Sequence, residues 1–255
     1  MIIDDQLMFR RRPTAERSLL GQTVLVVEDS RLAGEALRMM CLRGGARIRR
    51  ADSLRTADRH LQTYRPSVVI TDLGLPDGSG LDLIARLAGA RPRVSVLVAV
   101  SGDPSMRAAS MEAGADAFLS KPFGSIAQFQ NLILSHLPES ERPPTPRLMR
   151  DTEVIPDPNA LRDDLTHIAG LLGPDSDKST LTYASDLARG LGRSIHDPDL
   201  TNAAELLRES LNDDHEYCGR TAPLAAVVRE RIVKGGGAGS SSRVTEPRAG
   251  TANAQ

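Results

Sequence analysis

Between residues 23 and 137 the chain repeats one pattern: a short apolar run, a turn, then a stretch with helical spacing. The runs are TVLVVED (23–29), ARIRRAD (46–52, a weaker strand candidate), SVVITD (67–72), VSVLVAVSG (94–102) and ADAFLSKP (115–122). The helical stretches are 30–44, 53–64, 79–90, 104–114 and 124–137. Strands that are apolar along their whole length are covered on both faces, and helices between them supply the crossovers of a parallel sheet. Right-handed crossovers divide those helices between the two faces. The pattern predicts an α/β domain over 22–138, a doubly wound five-stranded parallel sheet.

The rest of the chain differs in kind. Residues 1–21 form an extension that starts acidic and has no apolar stretch before a small-residue cleavage site, so no secretory signal is expected. Residues 138–158 hold six prolines, too many for helix or central strand, which predicts a linker over 139–158. The stretches 159–172, 179–192, 198–212 and 222–233 have i, i+3/i+4 apolar spacing, mostly preceded by Asp, Ser or Thr as N-caps. They predict a small all-α domain over 159–233. Glycine and small polar residues dominate 234–255, where disorder is expected. No apolar run reaches the roughly 18 residues of a membrane helix. No membrane association is expected, and Cys41 and Cys218 are expected as free thiols in a reducing cytoplasm. Residues 151–220 carry 15 acidic against 6 basic side chains, a net of −9, while 21–140 carry 14 basic against 12 acidic, a net of +2. An acidic second half, with no tryptophan and few Phe or Tyr, is a poor surface for nucleic acid, which is not expected as a partner.

In an open parallel sheet, ligands bind beyond the carboxyl ends of the strands, where strand order reverses. Here the apolar strands end on Glu28 and Asp29, on Asp72, on Ser101, and on Lys121 followed by Pro122. Two unit charges 4 Å apart cost about 4 kcal/mol at a surface-like dielectric, so three converging carboxylates call for protons or a hard cation. Mg²⁺ takes oxygen ligands, often one or two carboxylates with waters and phosphate oxygens. A lysine and a hydroxyl at the same place suit a phosphoryl group, and a carboxylate between cation and lysine can act as a nucleophile.

The segments VLVVEDS (24–30), VVITDLGLPDGSG (68–80), VSG (100–102) and FLSKPF (118–123), in this order and spacing, resemble the receiver domain of two-component response regulators over about residues 22–138. The resemblance implies a flavodoxin-like sheet of order 2-1-3-4-5. It implies that Asp72 accepts a phosphoryl group from a histidine kinase or phosphotransfer protein. Glu28, Asp29, Asp72 and the backbone carbonyl of Gly74 would hold Mg²⁺. Ser101 would turn toward the phosphate, Lys121 would contact its oxygens, and Phe118 would be the aromatic switch. Phe118 lacks the hydroxyl that many members carry as tyrosine, so a switch here must act by packing. Gly102 follows Ser101 where alanine is common. Gly74 and Asp103 occupy positions that tune the phosphoryl lifetime, and a short to moderate lifetime is expected.

Taken singly, each of these residues has a plainer reading. Asp29 or Ser30 could cap the following helix, Asp72 could sit in a turn, and Lys121 could be solvated. Asp77, in PDGSG, reads as turn chemistry. Asp82 reads as a first-turn acid favoured by the helix dipole. Only the joint arrangement on four strand ends carries chemistry. No P-loop lysine and no zinc-ligand spacing is present, so no enzyme is expected beyond a phosphoacceptor that loses its phosphoryl group slowly to water. A flavin or other small-molecule binder on the same fold would not require three acids and a lysine.

Three outputs are weighed for the helical region. A DNA-binding regulator meets the net charge and the lack of helix–turn–helix spacing. A phosphotransfer bundle would use His167, about 120° from the centre of the face formed by Leu161, Leu165, Ile168 and Leu172. Gly170, however, stands where that motif has lysine, and His196 and His215 read as loop residues. The preferred expectation is a helical interaction or dimerisation module, acting on a protein target or a second copy.

Overall fold

The computed structural model describes residues 12–144, 157–212 and 220–236. Strands β1 (Thr23–Val27), β2 (Arg47–Ala51), β3 (Val68–Asp72), β6 (Val96–Ser101) and β7 (Ala117–Ser120) form one parallel sheet in the order β2-β1-β3-β6-β7. Between β3 and β6 lies a two-residue hairpin of β4 (Gly74–Leu75) and β5 (Gly78–Ser79), not foreseen from the sequence. With that hairpin set aside, the order is the expected 2-1-3-4-5 of a flavodoxin-like fold. The helices are α1 (Arg31–Arg43), α2 (Leu54–Thr63), α3 (Gly80–Gly89), α4 (Met106–Glu112) and α5 (Ile126–His136).

Side-chain alternation sorts the core. Val24, Val26, Val68, Ile70, Val96 and Val98 face one way and pack with Leu37 and Met40 of α1 and with Phe129 and Ile133 of α5. Leu25, Val27, Val69 and Leu97 face the other way, onto Ala57 of α2 and Leu83 and Leu87 of α3. β2 alternates exposed and partly buried residues, as an edge strand does, which explains its weaker apolar signal. Cys41 is buried in the first of these cores, and burial pushes its thiol up to about 12. Cys218 and His215 lie outside the described residues, as do the greater part of the predicted linker and tail.

The C-terminal helices are α6 (Pro158–Leu171), α7 (Lys178–Ser194), α8 (Pro198–Asn212) and α9 (Ala222–Gly236), the last reaching into the predicted tail. Aspartates cap three of them: Asp157 accepts from Asn159 N at 2.9 Å, Asp177 from Thr180 N at 2.8 Å, and Asp197 from Leu200 N at 3.1 Å. Leu165, Ile168, Leu181, Ala188, Leu207 and Val228 are among the residues of their shared core. That core also takes in Leu32 of α1, so the helical region packs onto the α/β domain. No described helix is long and apolar enough to cross a membrane.

Candidate functional site

Each strand end delivers its residue for a backbone reason. β1 stops at Val27, and its continuation still pairs once, Glu28 N donating to Ala51 O at 2.9 Å. Ser30 is the N-cap of α1, accepting from Ala33 N at 3.1 Å, which leaves Asp29 free to face the sheet end. Asp72 closes β3 and is 9 % exposed. Gly80 permits the turn behind it: a Cβ there would lie 2.0 Å from the Asp72 carbonyl oxygen.

One carboxylate oxygen from each of Glu28, Asp29 and Asp72 lies within 4.8 Å of the others. Lys121 Nζ sits 2.9 Å from Glu28 Oε1, 2.7 Å from Oε2 and 3.4 Å from Asp72 Oδ1. The contact to Oε2 lies off the direction a hydrogen bond needs. Burial pushes Glu28 well above the usual carboxylate range; Lys121 pulls it down, and Asp72 and Asp29 push it up again. Burial likewise raises Asp72, with Lys121 opposing and Asp29 adding. Burial alone would lower Lys121, but Asp72, Glu28 and Asp29 outweigh it and hold the ammonium above its usual value.

Three carboxylates against one ammonium leave the site acidic, and Asp29 Oδ1 is buried with no hydrogen-bond partner among the described residues. An oxygen-only donor set with an unmatched carboxylate oxygen fits a hard divalent cation. Glu28, Asp29 and Asp72 are the residues that could hold it.

The remaining sequence candidates fall around this centre. Ser101 Oγ accepts from Asp103 N at 3.1 Å, within its own turn. Asp103 Oδ1 accepts from Ser105 N at 2.9 Å and Ser105 Oγ at 2.7 Å, and these bonds hold its carboxyl below the usual range. Gly74 is exposed and has open space beside it, the Asp72 carboxylate being 4.0 Å from where a Cβ would stand. Phe118 is turned inward, 3 % exposed, among Leu73, Ile84 and Ala99, with the Arg107 guanidinium 5.0 Å over its ring. Asp82 is in the first turn of α3 as expected. Asp77 does more than turn the chain: its carboxylate accepts from Leu54 N at 2.8 Å and Arg55 N at 2.9 Å, capping α2 from another loop.

The helical region closes over the same centre, through residues the sequence reading did not single out. The Tyr183 hydroxyl donates to Asp29 Oδ2 in a short hydrogen bond. The Asp164 carboxylate accepts from Arg31 N at 2.7 Å, Ser30 Oγ at 2.8 Å and Leu32 N at 3.0 Å, capping α1. Arg193 Nη1 donates to Gly102 O at 2.9 Å. A cavity of about 470 Å³ remains, with Asp72, Ser101 and Lys121 below and Arg189, Gly190 and Arg193 above. His167 is exposed, its ring 6.3 Å edge-on from that of Tyr183.

Fold and site together define an open parallel α/β protein with an acidic, lysine-backed pocket at its topological switch point. Residues 24–133 match the family model of the response regulator receiver domain, and this segment is a receiver domain. The chain is 36 % identical over 101 residues to the KDP operon transcriptional regulatory protein KdpE of Escherichia coli, covering 40 % of this chain and 45 % of that protein. It is equally similar, 36 % over 101 residues, to the virulence transcriptional regulatory protein PhoP of Salmonella typhimurium, covering 39 % and 45 %. The chain thus spans about half the length of these relatives. Their names give no support to the expectation that nucleic acid is absent among the partners. Among solved structures, it is similar to the signal receiver domain of a histidine kinase from Syntrophus aciditrophicus (27 % identity, TM-score 0.40, covering 44 % of this chain and 87 % of that one). It is also similar to the receiver domain of a sensor histidine kinase from Pseudomonas aeruginosa described with magnesium in its active-site cleft (23 %, TM-score 0.41, covering 45 % and 96 %).

Proposed function

We propose that this chain is a two-component response regulator in which Asp72 accepts a phosphoryl group from a histidine kinase or phosphotransfer protein. The observation that carries this reading is the Lys121 ammonium, held 3.4 Å from Asp72 Oδ1 beside three clustered carboxylates. In the transfer an Asp72 carboxylate oxygen bonds to phosphorus as the phosphorus–nitrogen bond of phosphohistidine breaks, and the proton that restores the imidazole comes from solvent. Glu28, Asp29, Asp72 and the Gly74 carbonyl would hold a Mg²⁺ ion, which when bound would supply positive charge to offset the incoming phosphoryl oxygens. Lys121 serves those oxygens as a fixed donor. Ser101 turns from its bond with Asp103 N to the phosphoryl group, and Phe118 follows by repacking. Water then hydrolyses the acyl phosphate, with room at Gly74 for its approach and Asp103 placed to orient it, which gives a short to moderate lifetime. Output runs through protein contacts of the helical region.

The test is phosphotransfer from a panel of purified histidine kinases to the wild-type chain and to Asp72→Ala. At least one kinase should label the wild type and none the variant. A second reading, in which the output is nucleic acid, is favoured by the names of the regulators the chain resembles. A gel shift with genomic fragments on the phosphorylated chain separates the two.

A further inference from the structure

We propose that the helical region is a lid latched shut on the phosphorylation pocket, and that Tyr183 and a bound cation compete for Asp29. The proposal rests on the reading of Asp72 as phosphoacceptor and concerns its regulation.

Of the contacts between the helical region and the α/β domain, three hold the lid at the pocket. The Tyr183 hydroxyl occupies Asp29 Oδ2, one of the carboxylates of the candidate cation site. The Asp164 carboxylate takes up the Ser30 hydroxyl and the Arg31 and Leu32 amides at the start of α1. On the other side of the pocket, Arg193 reaches the carbonyl of Gly102, the residue after Ser101. Between these anchors α7 lies so close to the β6–α4 turn that a Cβ on Gly102 would stand 3.7 Å from the Gly190 Cα.

Two consequences follow from chemistry. A strong hydrogen bond to Asp29 Oδ2 draws charge from the whole carboxylate and fixes its orientation, so the unpartnered Oδ1 is a poorer cation ligand until the donor leaves, and cation entry works against the Tyr183 latch. α7 sets Arg189, Gly190 and Arg193 over one side of the pocket, and Asp72 is 9 % exposed, so a histidine carried on a partner protein gains access as α7 moves away. The closed form therefore disfavours both steps that precede phosphotransfer, and ligands that occupy the pocket shift the population toward the open form. The freed faces of α6 and α7 are then available to a partner, which ties output to the same movement.

The test uses the full chain and Mg²⁺ alone, with calorimetric titration of the wild type and of Tyr183→Phe, a change that removes one hydroxyl and leaves the ring. The lid predicts about tenfold tighter Mg²⁺ binding by the variant. It also predicts faster amide exchange across Lys178–Ser194 of the wild type once Mg²⁺ saturates. Mg²⁺ binding of equal affinity in both proteins, with exchange in α7 unchanged, would overturn the lid while leaving the cation site standing. Failure of both proteins to bind Mg²⁺ would instead remove the cation site on which the lid depends.

Discussion

Asp164→Asn changes one atom of a side chain with three donors converging on it. Oδ1 accepts from Arg31 N, and Oδ2 accepts from both Ser30 Oγ and Leu32 N. An asparagine keeps one acceptor and turns an amide NH₂ toward the other position. Whichever way the amide lies, at least one amide N–H of the first turn of α1 faces a donor. Leaving a buried donor unsatisfied costs about 1–3 kcal/mol. Loss of a negative charge at a helix N-terminus adds about 0.3–1 kcal/mol. Against this, burial raises the Asp164 carboxyl above its usual value, so the ionised form already carries a desolvation cost that asparagine avoids. The net loss is about 2 kcal/mol, and it falls on the docking of α6 against α1. Hydrogen exchange reads it directly: at 1.4 kcal/mol per factor of ten, protection at Arg31 and Leu32 should drop about thirtyfold. Strands β1 and β3 should keep their protection. Unchanged protection at Arg31 and Leu32, or an equal loss throughout the sheet, would refute the assignment of Asp164 as a docking cap.

Gly80→Ala places a methyl 2.0 Å from the Asp72 carbonyl, which only a backbone shift can relieve, so a loss of several kcal/mol in a urea melt is expected. Ordinary stability would show that the turn yields freely. Asp72 binds its proton more tightly in the folded state than in the unfolded one, so by linkage its protonation favours folding at low pH. That stabilisation is complete below about pH 3.8 and is lost as pH rises through the folded value. In chelator at pH 7–8, Asp72→Asn should therefore melt higher than wild type, with the gap closing toward acid; a lower melting temperature at pH 8 would contradict this. Cys41, with its thiol pushed to about 12, should resist alkylation in the folded chain at pH 8 and react on unfolding. Rapid modification of the native Cys41 peptide would show that α1 opens.

The sheet and its pocket were legible because one rule governs both: each buried strand is an apolar run, and the residue that ends the run stands at the ligand-binding edge. Asp72 after VVIT and Lys121 after AFLS are visible for that reason. What escaped the sequence depends on contacts across long stretches of chain. Gly80 looks like an ordinary turn glycine until the Asp72 carbonyl is found against it. Asp77 announces a turn but not the helix it caps, 22 residues earlier. Asp164 did leave a signal, since it sits on the apolar stripe of Leu161, Leu165 and Ile168, where a lone acid needs a partner. Its partner, however, lies 134 residues away at Ser30. Tyr183 left no such signal, and the docking of the helical region onto the pocket followed from neither composition nor spacing.

On the proposed reading Asp72 is the phosphoacceptor. Incubating the full chain with acetyl phosphate and Mg²⁺, reducing the acyl phosphate with borohydride and mapping the modified peptide tests it most directly. A single modified residue is expected, Asp72, dependent on Mg²⁺ and absent in Asp72→Ala. Modification at another residue, or a label that survives in the folded Asp72→Ala chain, would contradict it.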